Sequence, residues 1–583
     1  MKFDFTKIAR RLLYLFVFLY PLFYIPKMDF FMLENKLLVL GGFSFFIFLF
    51  YVLGVIQKGK IRVSEKLISG SVFIFYFILL LSCLTTGTFG YNLGLSDSFF
   101  AFIFYLVLFI SGRCLMGKQN DYKNIIFSFI AGVSVSSILF LFNLPGSFIS
   151  VENPDILAIF CSLCIVSWMY FMGDMKRGGV SVVAIVAILI YLATMLVINS
   201  EIAWFALIIG SFIMFWKFWN SKKKNILPFV VAIIAVIFFF GNFNFSFQKN
   251  YEVSGISIAD SYFVFDFGNN TFADSLFGYG AGSFDQNYLM HNSSPGQMHN
   301  QAGSAFLQIF SDFGILGGLA LIFVFFAFLA FGIKKFFQDK EENYETLFFA
   351  SSLTLFLILF FYPINCSLMI FLFLFMGIFS SMTKSEIVEF KRLSSGEIAL
   401  IIGFLCISLF FLISVFYGFL QTYISGYNYV LGTQAYNAGE EDEAIANFEK
   451  SNNAKANISV SQIYLIKASE AYDKIFLIET EEDEKQEYLD SAKSLAQSAE
   501  EKALSAIEKE PLNYYSFLNL GDIYWNMGDL FSDDDLKMKA SDNYEKALLM
   551  APNENGIYER LIDVYSYMGD AERADYYRGF LNK

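Results

Sequence analysis

Apolar residues in this chain come in runs more than in alternation. Thirteen apolar stretches centre near residues 18, 47, 77, 106, 133, 164, 189, 210, 233, 324, 354, 374 and 410. A helix of about 20 apolar residues crosses a bilayer, so each stretch is a candidate span. The breaks between them are short and polar. The shortest, Tyr-Pro-Ile-Asn at 362–365, is a proline-containing turn. One break is long, 241–303. From about residue 426 the pattern changes to helix pairs with a 3.6-residue period. The predicted fold class is all-α: a polytopic membrane helix bundle of about 13 spans over 1–425, then a soluble α-helical repeat array over 426–583.

Composition supports the division. The 583 residues are 56% hydrophobic and only 16% charged, against roughly 25% charged in a soluble domain. The tail from Gly426 holds 31 Asp and Glu against 15 Lys and Arg, which leaves the rest of the chain at a net charge of +3. Basic residues collect in alternate loops: Lys2 to Arg11, QKGKIRVSEK, MGKQNDYK, MKRGG, NSKKKN, IKKFFQDK and EFKRLSSGE. The opposite loops hold only Lys27, Lys36 and Lys249. Cytoplasmic loops retain positive charge, so the N-terminus is expected in the cytoplasm, with the 241–303 loop and the tail outside. The basic N-terminus precedes a retained first span, with no small-residue cleavage site. All six cysteines lie in or beside apolar spans, and the CxxC at Cys161 and Cys164 reads as two small residues in an apolar helix. The 75 phenylalanines are expected to be lipid-facing bulk.

The tail pattern is similar to tetratricopeptide repeats. Gly521, Tyr524, Gly528, Ala540, Tyr544, Ala547 and Pro552 fit one unit, once about seven residues near LFSDDDL are counted as an insertion between its two helices. Gly432, Gly439, Ala444 and Phe448 fit another, and Tyr565, Gly569 and Ala574 a last. Segment 459–511 supplies a further pair, with Ala499 and Ala506 in register. Small residues let paired helices approach, and aromatic side chains fill the gap. Such arrays bind a partner protein or cap a neighbouring domain. The acidic run at 440–443 is expected to be a solvated helix start.

The long outer loop closes with LFGYGAGSF, and HN, FLQIF and GILGG follow at 299–318. In a polytopic chain this succession resembles the O-antigen ligase and polymerase superfamily. The resemblance covers most of residues 1–381 and is sharpest over 276–318. It implies transfer of a glycan from a polyprenyl diphosphate to a lipid, glycan or protein acceptor at the outer face of the cytoplasmic membrane. The partners it implies are membrane lipids and the lipid-linked glycan, with a protein on the repeat array and no nucleic acid. A second class of function remains open: a non-catalytic scaffold whose ligase-like body presents the repeats to envelope partners.

His299, Glu201 and Asp260 are the catalytic candidates. His299 would take the acceptor proton. Lys249, Asn300, His291, Gly278 and Gly280 are the substrate-binding candidates, the glycines as shapers of the turn. Asp312 enters a span and lines it or acts there. Family members place arginines near the diphosphate, where this chain has Glu201 and Asp260. No arginine lies between Arg177 and Arg392. Lys249, Lys27 or Lys36 would then supply countercharge. No cofactor is firmly implied; a divalent cation bridging Glu201, Asp260, Asp266, Asp274 and Asp285 to the diphosphate is the one option. The family's spacing counts back from Gly314 to Gly303, and His299 lies one helical turn earlier.

Overall fold

The computed structural model describes residues 3–23, 32–63, 66–86, 98–142, 153–174, 180–219, 227–241, 272–284, 288, 302–338, 344–382, 386–390, 394–451, 453–477, 482–511 and 513–581. They form twenty-one α-helices and one two-stranded sheet. Two compact units result: Met1–Phe284 with Gln301–Leu420, and Asp285–Asn300 with Gln421–Lys583.

In the first unit each predicted span falls on a helix. They are α1 (Phe5–Leu19, ending in a 3-10 turn at Tyr20–Leu22), α2 (Met32–Lys58), α3 (Lys66–Thr86), α4 (Phe99–Leu115), α5 (Gln119–Leu141), α6 (Pro154–Asp174), α7 (Val180–Ile198), α8 (Glu201–Trp219) and α9 (Leu227–Gly241). A short α10 (Phe272–Phe277) precedes α11 (Ala305–Gln338), α12 (Tyr344–Leu359), α13 (Cys366–Ser381) and α14 (Ser395–Asn437). Seven of these helices are long and apolar enough to cross a membrane, and five more are apolar but shorter. The protein is a multi-pass, all-α membrane helix bundle.

Helix α13 is apolar all round, and every one of its 16 residues is buried, as such a helix must be. Phe371 on it meets Phe129 and Phe160 with ring centroids 4.7 and 5.0 Å apart. Phe16, Phe75, Phe102, Phe104, Phe313 and Phe328 are likewise fully enclosed. The phenylalanine excess therefore builds the interior as well as the lipid-facing surface, where Phe404 and Phe410 are exposed. With no hydrophobic drive between helices in lipid, association rests on such close packing.

Polar contacts sort the loops onto two faces. On one, Arg10 bonds the Leu115 carbonyl and pairs with Asp121 at 3.1 Å, and Lys58 pairs with Asp4 at 2.8 Å. Arg62 donates to the carbonyls of Met116 and Ser381. Strand β1 (Lys60–Val63) pairs antiparallel with β2 (Glu386–Glu389), Lys60 opposite Glu389. Lys217 near the end of α8 donates to Phe336 near the end of α11. Every loop in this set belongs to the basic group of the sequence. On the other face, Ser136 donates to Pro21, Asn153 to Tyr362, and Ser82 to Phe277. Among the described residues, these contacts join basic loops to one another on the first face. The short strands were not legible in advance, since KIRV and EIVE lie in charged loops and pair across more than 300 residues.

The second unit is a run of helical hairpins: α15 (Glu441–Ser451), α16 (Ala454–Leu477), α17 (Glu482–Lys509), α18 (Tyr514–Phe531), α19 (Asp534–Met550), α20 (Asn555–Tyr567) and α21 (Ala571–Leu581). Neighbours pack in sequence order, α16 on α17, α18 on α19 and α20 on α21. Ala492, Ala496, Ala499, Ala503 and Ala506 form a fully buried stripe along α17. Gly521 lies against the Tyr544 ring, and Gly432 against Phe448. The expected insertion near LFSDDDL is not a loop. It lengthens both helices, and the chain reverses at left-handed Ser532 followed by the helix cap Asp533. Lys537 braces the longer hairpin: its buried ammonium pairs with Asp529 and lies over the rings of Trp525 and Tyr567. The acidic run opens α15, where Asp442 accepts from Lys467 at 2.6 Å.

Candidate functional site

The site is built on the face opposite the basic loops, around a break in one helix. Helix α11 is interrupted at Gly314, whose backbone sits at φ 66° and ψ −169°. A helix carbonyl accepts from the amide four residues on, so a break strands the carbonyls just before it. Inside a membrane bundle there is no water to satisfy them. The glycine turn after α10 supplies the donors. The Tyr279 amide donates to the Ser311 carbonyl at 3.3 Å, and the Gly280 amide to the Asp312 carbonyl at 2.7 Å.

Glycine is required where the two segments cross. Gly278, Gly280 and Gly282 have φ of 73°, 101° and 70°, values side-chain-bearing residues rarely adopt. A Cβ on Gly278 would stand 2.4 Å from the Gly314 nitrogen, and one on Gly314 would stand 2.4 Å from the Leu276 carbonyl oxygen. Backbone meets backbone, with no side chain able to move aside. The Ser283 hydroxyl donates to the Gly280 carbonyl at 2.7 Å and closes the turn.

The start of α11 is held from two sides. Ser304 accepts from the Leu307 amide as a helix cap, and the Gln308 side chain accepts from the Ala302 amide. The Ala305 amide donates to the Tyr362 carbonyl at 2.8 Å. Tyr362 and Asn365 bound the predicted turn between α12 and α13, and Asn365 caps α13. The Tyr362 hydroxyl accepts from Asn153, whose own oxygen caps α6 at Asp155.

Glu201 is the first residue of α8, where the helix dipole favours negative charge. The chain enters through Asn199 at φ 57°, a conformation asparagine tolerates. The carboxylate of Asp155 is hydrogen-bonded by Ser200 and acts electrostatically on Glu201. Two acids thus share the place where the resembling family puts an arginine. Asp312 is fully enclosed, two residues before the break. Lys36 is also enclosed, donates to the Tyr20 carbonyl at 2.5 Å and lies over the Tyr20 ring. Its ammonium is engaged within the protein.

Gly278, Gly280, Glu201 and Asp312 are therefore placed on this face. The Gly280 amide is taken by Asp312, so its part is to build the turn. His299, His291, Asn300, Lys249, Lys27 and Asp260 lie outside the described residues, as do Asp266, Asp285 and the side chain of Asp274. Among the described residues no group of three His, Cys, Asp or Glu is placed to hold a metal ion. Sequence reasoning missed Ser82, Asp155, Asn153 and Tyr362. Only Asn153, directly before Pro154, had a signal, that of a helix cap before a first-turn proline.

No curated protein matches the chain. Residues 185–322 match the family model described as O-antigen ligase. That span holds Glu201, the glycine turn and the broken part of α11, and over it this membrane protein is similar to the O-antigen ligase family.

Proposed function

We propose that the protein is a cell-envelope glycan ligase or polymerase of the cytoplasmic membrane, with its N-terminus in the cytoplasm and its site and tail outside. The observation that carries this is the coincidence of the family match with the glycine turn locked into the break of α11. The donor is a glycan on a polyprenyl diphosphate. The acceptor hydroxyl attacks the anomeric carbon, the bond to the diphosphate breaks, and polyprenyl diphosphate leaves. His299 takes the acceptor proton as general base. Because Lys36 is engaged with Tyr20, diphosphate countercharge falls to Lys27 and Lys249 or to a divalent cation. The tail, read as tetratricopeptide-like, docks a protein of the same compartment.

A second reading is favoured by one observation. Glu201, at the start of α8, stands where the resembling family would put an arginine, so the residue there offers no cationic side chain to a diphosphate. A scaffold that has lost transfer would tolerate that. A transfer assay with lipid-linked glycan separates the two. Product from the intact chain and a large loss with His299→Ala support transfer. Absence of product from both, with a partner recovered on the tail, supports the scaffold. Product that survives a chelator unchanged removes the cation.

A further inference from the structure

Two carbonyls at helix interruptions lie at the site: Phe277 ends α10, and Asp312 precedes the break of α11. A single side chain reaches both. The Ser82 hydroxyl donates to the Phe277 oxygen at 2.5 Å and stands 3.4 Å from the Asp312 oxygen. One hydroxyl carries one proton, so the short bond to Phe277 is the principal one. The Asp312 carbonyl already holds the Gly280 amide. Ser82 is fully buried near the end of α3, and α3 packs along α11. Helix α3 lies outside the 185–322 match.

We propose that Ser82 is a positioning residue: it pins the glycine turn and the break of α11 to α3, and so holds the family-matched turn in the geometry that transfer requires. This rests on the transfer reading above. A polar side chain buried in a membrane bundle is costly unless it bonds a partner. Here it answers a carbonyl that no amide of its own helix can reach. Thr85, one turn on, donates to the Leu81 and Ser82 carbonyls of its own helix, whereas Ser82 reaches across to another segment.

The test uses the full chain in lipid nanodiscs, with Ser82→Ala and, as control, Ser71→Ala. Ser71 is equally buried on α3 but donates within the helix, to Ile68. Two quantities are read: amide exchange at Tyr279 and Gly280, and kcat and KM for glycan transfer. Ser82→Ala is expected to speed exchange at both amides about tenfold, and to lower kcat about tenfold with KM nearly unchanged. Ser71→Ala should do neither. Unchanged exchange in Ser82→Ala overturns the clamp. Faster exchange with unchanged kcat overturns the positioning role. If the intact chain makes no product, the transfer reading falls and positioning with it, while the exchange result still decides whether the clamp exists.

Discussion

Glycine is used for close approach in both parts of this molecule, with different consequences. In the bundle, Gly278 and Gly314 set backbone against backbone, both at positive φ, with an added Cβ within 2.5 Å of main-chain atoms on either side. In the tail, Gly521 sets an ordinary helix against the edge of the Tyr544 ring. The first contact has nothing that can yield. The second faces a side chain that can tilt. The bundle glycines define one geometry, whereas the tail glycines define a spacing that several sequences could meet.

Four substitutions sharpen or break this contrast. Gly314→Ala should have the largest effect: strain at positive φ adds to a main-chain clash, for a loss of at least about 3 kcal/mol and of transfer activity. Yield of monodisperse detergent-solubilised protein and product formation check it. An active, well-folded Gly314→Ala protein would mean that the crossing is loose. Gly521→Ala should cost about 1–3 kcal/mol through overpacking against Tyr544, read as faster amide exchange in α18 and α19 with transfer unaffected at the turn. A cost equal to that of Gly314→Ala would erase the distinction. Lys537→Met removes a cation seated over Trp525 and Tyr567 and should cost about 1–2 kcal/mol, felt in the lengthened hairpin and at the end of α20.

The smallest effect belongs to the exposed pair at the start of α15. The hydrogen bond from Lys467 holds the Asp442 carboxyl below its ordinary value, and the same bond raises the Lys467 ammonium. A depressed carboxyl contributes above its unfolded pKa and loses that contribution as pH falls through the folded one. A raised lysine contributes below its unfolded pKa and loses that as pH rises through the folded one. Lys467→Met should therefore change exchange at the start of α15 by only about twofold near neutral pH, with the difference from the intact chain vanishing in acid and in strong base.

The spans were legible because their signal is long, thirteen apolar runs bounded by charge. The uneven placement of lysine and arginine gave an expectation of sidedness that the labelling experiment below tests. The tail pairing could be read from Gly521, Tyr544 and Ala547, since a ring needs a gap. The break in α11 was not. GILGG reads as the continuous opening of a span, and only Gly278, 36 positions earlier in the chain, explains why Gly314 departs from the helix. Ser82 was equally hidden, because one serine in an apolar run looks like any other until its partner carbonyl is in view. The lengthened hairpin was misjudged because three consecutive aspartates suggest a loop, whereas Asp533 caps α19 and Asp534 and Asp535 fill its first turn.

The central claim is that the glycine turn, the histidine-bearing segment after it and the tail occupy the non-cytoplasmic side, where a lipid-linked donor is presented. Its most direct test is labelling of intact cells with a membrane-impermeant thiol reagent, using one engineered cysteine at Ser293 and another at Asn452. Both positions should label without permeabilising the membrane, while a cysteine at Ser64 should label only after it. Protection of Ser293→Cys in intact cells, with labelling on permeabilisation, would put the segment in the cytoplasm and contradict the account.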